Sequence, residues 1–187
     1  MSQIGTYNGR KYGLGGDGDD EGCRFYGKYR GIVTNNKDPL AQQRIKAIVP
    51  DVLGKRETGW ALPCSPYGGV NVGMFFIPPV TANVWIEFEK GDPDFPIWVG
   101  CFWGAKDIPP ALKNPLNAAN LKVIKTITSE ITIDDSKPPS GEITLKLVSG
   151  QKVRISGTDM EINNNIVHIK LTPASVMINN GNLQVLP

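Results

Sequence analysis

The chain has 187 residues, of which 40% are hydrophobic, 20% charged and 8% aromatic, and its formal net charge is +2. That is enough chain for one large core or two small ones, and it lacks the Lys and Arg excess of a dedicated nucleic-acid binder. One His, and three Cys (Cys23, Cys64, Cys101) at wide spacing with no CxxC pair, argue against a zinc centre or disulfide framework; no stretch approaches the length of an apolar membrane span.

Residues 1–22 hold seven glycines and almost no apolar periodicity, so they are expected to form a flexible Gly-rich arm. The acidic run Asp17-Gly18-Asp19-Asp20-Glu21 resembles half of a calcium loop but lacks its bidentate Glu, which leaves a solvated arm as the reading. The first residues carry no apolar h-region, so export by a signal peptide is not expected. The cysteines are expected to be small apolar residues buried in strands, as in a protein made in a reducing cytosol.

From Cys23 the pattern becomes one of short strands. Residues 25–34 form the first, with bulges expected at Gly27 and Gly31. In residues 44–50, Ile45, Ala47 and Val49 alternate with Arg44 and Lys46, as on a half-buried antiparallel strand. A polar connection, a proline-limited strand near Trp60 and a glycine-rich loop at 68–73 follow. Strands 84–89 and 97–103 then form a hairpin across Lys90-Gly91-Asp92-Pro93-Asp94. Alternation puts Val84, Ile86, Phe88, Ile97, Val99 and Cys101 on a core face, and Trp85, Trp98 and Phe102 on an outward face that needs a subunit, a partner or stacked bases to cover it. About five short strands without an amphipathic helix fit a small OB-type Greek-key barrel over 23–104.

Residues 105–120, with Pro109, Pro110 and Pro115, read as an extended linker. The remainder, 121–187, is a run of short strands with apolar residues two apart, each closed by a small polar or Asx turn. Each strand presents one thin apolar face, and no helix or second sheet is present in this tail to cover it. Identical chains wound around one axis would cover it, with the apolar rows at the shared centre.

These residues resemble a known family. Residues 25–33, the stretch 60–66, and 73–78 all match in order, and Val84-Trp85-Ile86-Glu87-Phe88-Glu89-Lys90-Gly91-Asp92-Pro93-Asp94-Phe95-Pro96-Ile97-Trp98-Val99-Gly100 is similar to the signature V-x-V-x-F-x-x-G-D-P-D-x-P-x-x-x-G. It belongs to the central spikes of contractile-tail machines, phage baseplate assembly protein V and the VgrG-type spikes among them. Thr81 and Asn83 depart from the Gly and acidic residue usual in that family before the first of these strands.

The resemblance implies an all-β chain in which an OB-fold collar is followed by an intertwined, trimeric, triple-stranded β-helix. It implies a membrane-piercing spike at the baseplate centre, attached through its OB fold to a separate baseplate hub protein and carrying a PAAR-like tip protein on its C-terminal end, in a virion tail or assembled injection particle. Subunit or partner contact is assigned to Trp85, Trp98, Phe102, Leu186 and Pro187. The interval 104–121 is too short for the lysozyme domain of some members, and no paired acids stand there, so no catalytic residue, cofactor or metal is assigned. His168 is expected at the surface, outside the row of Val167, Ile169 and Leu171. Two alternatives stand beside this reading. One is an OB-fold single-stranded nucleic-acid binder stacking bases on Tyr26, Trp85 and Trp98; the other is a glycan-binding or hydrolytic fibre, which the absence of Trp, Tyr and Phe after Trp103 disfavours.

Overall fold

The computed structural model describes residues 5–7, 10–12, 23–137, 140–179 and 182–185. The acidic run at 17–21, Leu186 and Pro187 lie outside the described residues. The chain divides into two compact units, Met1–Asp107 and Ile108–Pro187, and most of the regular elements described in each are strands. Within the arm, β1 (Gly5–Tyr7) and β2 (Arg10–Tyr12) pair antiparallel, an ordered element that the glycine content did not suggest.

Five strands carry the core of the first unit. They are β3 (Tyr29–Asn35), β4 (Lys46–Ile48), β5 (Leu62–Pro63), β8 (Asn83–Phe88) and β9 (Pro96–Cys101), in the order β4-β3-β8-β9-β5. Between them β6 (Tyr67–Gly69) and β7 (Val72–Met74) form a separate hairpin. The two edges of the five-stranded sheet meet where Ile45 and Ala61 exchange backbone hydrogen bonds of 3.2 and 2.8 Å, which closes it into a barrel. Inside sit Val33, Ile45, Ala47, Val49, Ala61, Val84, Ile86, Phe88 and Trp98. The alternation of Ile45, Ala47 and Val49 and that of Val84, Ile86 and Phe88 thus point inward as their spacing predicts.

Strand β9 departs from its expected faces. The register opposes Trp85 to Gly100 and Ile86 to Trp98, so Val99 is an extra residue and inverts the parity of everything before it. Pro96 and Trp98 are therefore buried and Ile97 and Val99 half-buried, while Cys101, beyond the bulge and opposite Val84, is exposed at the strand's end. Cys23 and Cys64 are exposed free thiols as well, contrary to their expected burial. In β3 the bulge falls between Val33 and Asn35, not at the glycines; Gly31 instead admits the close approach of β8, since a Cβ there would lie 3.1 Å from Ile86 Cγ1. The polar connection after β4 holds a one-turn helix, α1 (Pro50–Leu53), with proline at its first position.

The linker is less extended than its prolines suggest. Pro110–Leu112 forms a 3-10 turn, and α2 (Pro115–Ala118) starts with Asn114 Oδ1 accepting a 3.1 Å bond from Leu116 N. The second unit is then a single antiparallel meander of eight strands in sequence order. These are β10 (Leu121–Lys125), β11 (Ser129–Asp134), β12 (Glu142–Leu147), β13 (Lys152–Ser156), β14 (Met160–Asn163), β15 (His168–Thr172), β16 (Ser175–Ile178) and β17 (Leu183–Val185).

Candidate subunit and partner interfaces

The meander register sorts the side chains of the second unit into two unlike faces. On one, directly paired residues form an aliphatic row across all eight strands: Ile124, Ile131, Leu145, Val153, Ile162, Ile169, Ile178 and Leu183. A second row beside it runs through Ile133, Ile143, Ile155, Met160, Leu171 and Val176. Period-two alternation repeated in register from strand to strand is what builds both rows. Nearly all of these residues are exposed in the single chain. At about 25 cal/mol per Å² of apolar area, covering the remaining surface of one such side chain contributes roughly 1 kcal/mol, so the face as a whole has a strong drive toward a cover.

The opposite face is charged and internally bonded. Arg154 reaches Glu142 at 3.3 Å, Asp159 at 2.6 Å and Glu161 at 3.5 Å, Lys170 reaches Asp159 at 2.9 Å, and Lys152 reaches Glu161 at 3.2 Å. The Ser156 hydroxyl, then Lys170 and Arg154, holds the Asp159 carboxyl well below the usual carboxylate range. The amide of Asn163 and the ammonium of Lys152 lower Glu161 in the same sense. His168 lies half-buried on this face, paired with Asn163 and away from the aliphatic rows. Among the described residues no three His, Cys, Asp or Glu side chains gather so as to hold a metal ion.

On the barrel, the expected aromatic row is divided. Trp98 is 8% exposed, a core residue whose Nε1 donates to the Gln43 carbonyl at 3.3 Å. Trp85 and Phe102 do share an outer, half-buried position, with ring centroids 4.7 Å apart. The Arg30 guanidinium stands 5.7 Å from the first ring and 5.4 Å from the second. Nearby, Lys28 pairs with Glu87.

A further exposed apolar feature of this unit escaped the sequence reading, which took residues 68–73 as a glycine loop. Hairpin β6–β7 turns over Val70 and Asn71, the latter at φ 58°, and exposes Tyr67, Val70, Val72 and Met74, with Phe75, Phe76 and Ile77 directly after. The signal was weak: Asn71 tolerates the positive φ of such a turn, but Val70 precedes it and glycines flank it, so the stretch lacks the Asn-Gly pair and alternating apolar flanks that mark a hairpin.

Residues 29–103 match the family described as the type VI secretion system/phage-baseplate injector OB domain. Residues 122–184, which hold the two-faced meander, match the phage baseplate V C-terminal trimerisation domain. No curated protein sequence matches the chain. A trimerisation domain accounts for an aliphatic face left open on the single chain, and supports a homotrimer. With an injector OB domain followed by that trimerisation domain, the chain belongs to the phage baseplate V family of spikes and has a structural role in a baseplate.

Proposed function

We propose that this protein is the central spike of a contractile injection machine. Three copies wind their second units into a triple-stranded β-helical needle, which contraction drives through the target cell envelope. The observation that carries this reading is the pair of aliphatic rows on the meander, one crossing all eight strands and the other six, left largely exposed on the single chain. Laid on a common axis, three such faces would make one dry core, and the ion-paired faces would stay in water. Stiffness would follow, because no chain could unfold without exposing the core of the other two.

The barrel is the attachment end. Trp85 and Phe102, held under Arg30, together with the exposed β6–β7 hairpin, offer the aromatic anchors typical of protein interfaces, and we assign them to the hub protein or to neighbouring collars. Trp98 supports that surface from inside the core. Leu186 and Pro187 are assigned to contact with a PAAR-like tip protein. The spike would reside in a virion tail or an assembled injection particle, with no reaction of its own.

Mass in solution tests the needle: three copies are expected, and a monomer at micromolar concentration overturns it. Capture of the hub by wild-type protein but not by Trp85→Ser/Phe102→Ser trimers tests the attachment. Salt-dependent binding of a single-stranded oligonucleotide by that same surface would favour base stacking instead.

A further inference from the structure

The aliphatic face of the second unit runs off one edge of the sheet. Leu147 and Val167 extend it toward the turns joining β10 to β11, β12 to β13 and β14 to β15, which the meander stacks on one side. Turn positions are ordinarily filled by Gly, Pro, Asn, Asp or Ser. These three carry Ile127, Val148 and Ile166, exposed by 93%, 71% and 87%, whereas the fourth turn on that side, joining β16 to β17, carries Asn179 and Asn182. The turns on the other side hold Asp135, Ser136 and Lys137, then Gly157, Thr158 and Asp159, then Pro173 and Ala174.

The apolar edge is also tied into one column. Val148 N donates to the Thr128 carbonyl at 2.9 Å, and Asn165 Nδ2 donates to the Ser149 carbonyl at 2.7 Å, so each turn is bonded to the next. Gly150, at φ 106°, makes room for this: a Cβ there would stand 2.6 Å from Asn165 Oδ1.

We propose that this edge is a seam between subunits, in which Ile127, Val148 and Ile166 of one copy pack against the following copy of the same chain. The inference rests on the trimeric reading above and adds a contact outside the axial core. Two features favour a second copy as the occupant. The edge is continuous with the aliphatic face and lies wholly inside the stretch that matches the trimerisation domain. A closed three-fold ring also requires a head-to-tail interface, where one surface of each subunit meets a different surface of the next. A sheet that carries exposed Ile127, Val148 and Ile166 along one edge, and no exposed large apolar side chain in the described turns of the other, has that asymmetry.

The test uses the full chain in two forms. In the first, Ile127→Asp/Ile166→Asp is compared with Ile127→Leu/Ile166→Leu by light-scattering mass across a dilution series. In the second, Cys23, Cys64 and Cys101 are replaced by Ser and Ile166→Cys carries an environment-sensitive dye, which reads the seam even if the acidic pair misfolds. Support is a trimeric wild type and Leu pair, an Asp pair that dissociates at concentrations at least tenfold higher, and a dye shielded in the trimer. A trimeric wild type whose Asp pair resists dilution equally, with the dye in water, overturns the seam and leaves the trimer standing. Shielding of the dye only after hub or tip protein is added assigns the edge to that partner and overturns the seam too. A monomeric wild type overturns both.

Discussion

Gly91 shows how a single residue holds the barrel's entry segment. Its φ of 77° lies in the left-handed region, and a Cβ on it would come within 3.0 Å of Phe25 N and 3.1 Å of both Arg24 Cβ and Tyr26 Cε1. That closeness lets the Gly91 carbonyl accept from Phe25 N at 2.7 Å while Asp92 pairs with Arg24 at 3.2 Å. The turn is structural, as its Gly-Asp-Pro-Asp sequence suggests, but its hold on residues 24–26 was not visible in the turn itself. Gly91→Ala combines backbone strain with a steric clash and is expected to cost about 1–3 kcal/mol, read by urea unfolding of the first unit. Asp38 is the second such residue. Its carboxylate accepts from the Arg44 side chain at 2.7 and 3.0 Å and from the backbone of Leu40, Gln42 and Arg44, and the Arg44 guanidinium above all holds it well below the usual carboxylate range. A carboxyl with a folded pKa below its unfolded one stabilises fully above the unfolded value, near 4, and loses that contribution as pH falls toward the folded one. Melting temperature should thus drop below about pH 4 in the wild type. Asp38→Asn should melt lower at pH 7 and show a shallower acid slope; equal slopes would exclude Asp38 as a source of acid lability.

At the scale of elements, strand β9 separates what alternation can and cannot convey. Period two correctly oriented β8, because an uninterrupted strand keeps its parity from end to end. One extra residue at Val99 then reversed the faces of Ile97 and Trp98, and nothing in the residue types announces which side of a glycine a bulge will occupy. The two tryptophans consequently have different work. Trp98→Ala opens a cavity beside Ile86 and removes an indole hydrogen bond, and is expected to cost about 3–5 kcal/mol. Trp85→Ala removes a half-buried ring from the outer face and should cost far less, with its effect appearing in partner binding. Chemical denaturation of both variants settles the order, and equal losses would refute the assignment of Trp98 alone to the core. In the second unit the strand periods were legible because strands and turns alternate so regularly. The ion-paired face was not, since Arg154 meets Glu142 and Glu161 across strands and Asp159 in a turn, distances that only register creates.

For the whole molecule, the uncovered aliphatic rows decide how stability and assembly are linked. A chain whose second unit buries its apolar face only against copies of itself must unfold and dissociate together, so its melting temperature should rise with protein concentration. Ile155 is the informative position, lying in the middle strands and paired with Ile143 and Met160. Ile155→Asp would bring three carboxylates to one dry axis, where each is unpaired and each repels the others; burying such a charge costs several kcal/mol per copy. Dissociation to monomers, or aggregation through the freed face, is the expected result by light scattering. Lys146→Gln, on the opposite face, should leave the trimer and its concentration dependence unchanged. The comparison is strict because both substitutions lie on neighbouring strands of one sheet and differ in the face they alter. If Ile155→Asp remained trimeric with an unshifted melting curve, the aliphatic rows would not be the trimer's core, and the drive toward assembly would have to lie in the barrel.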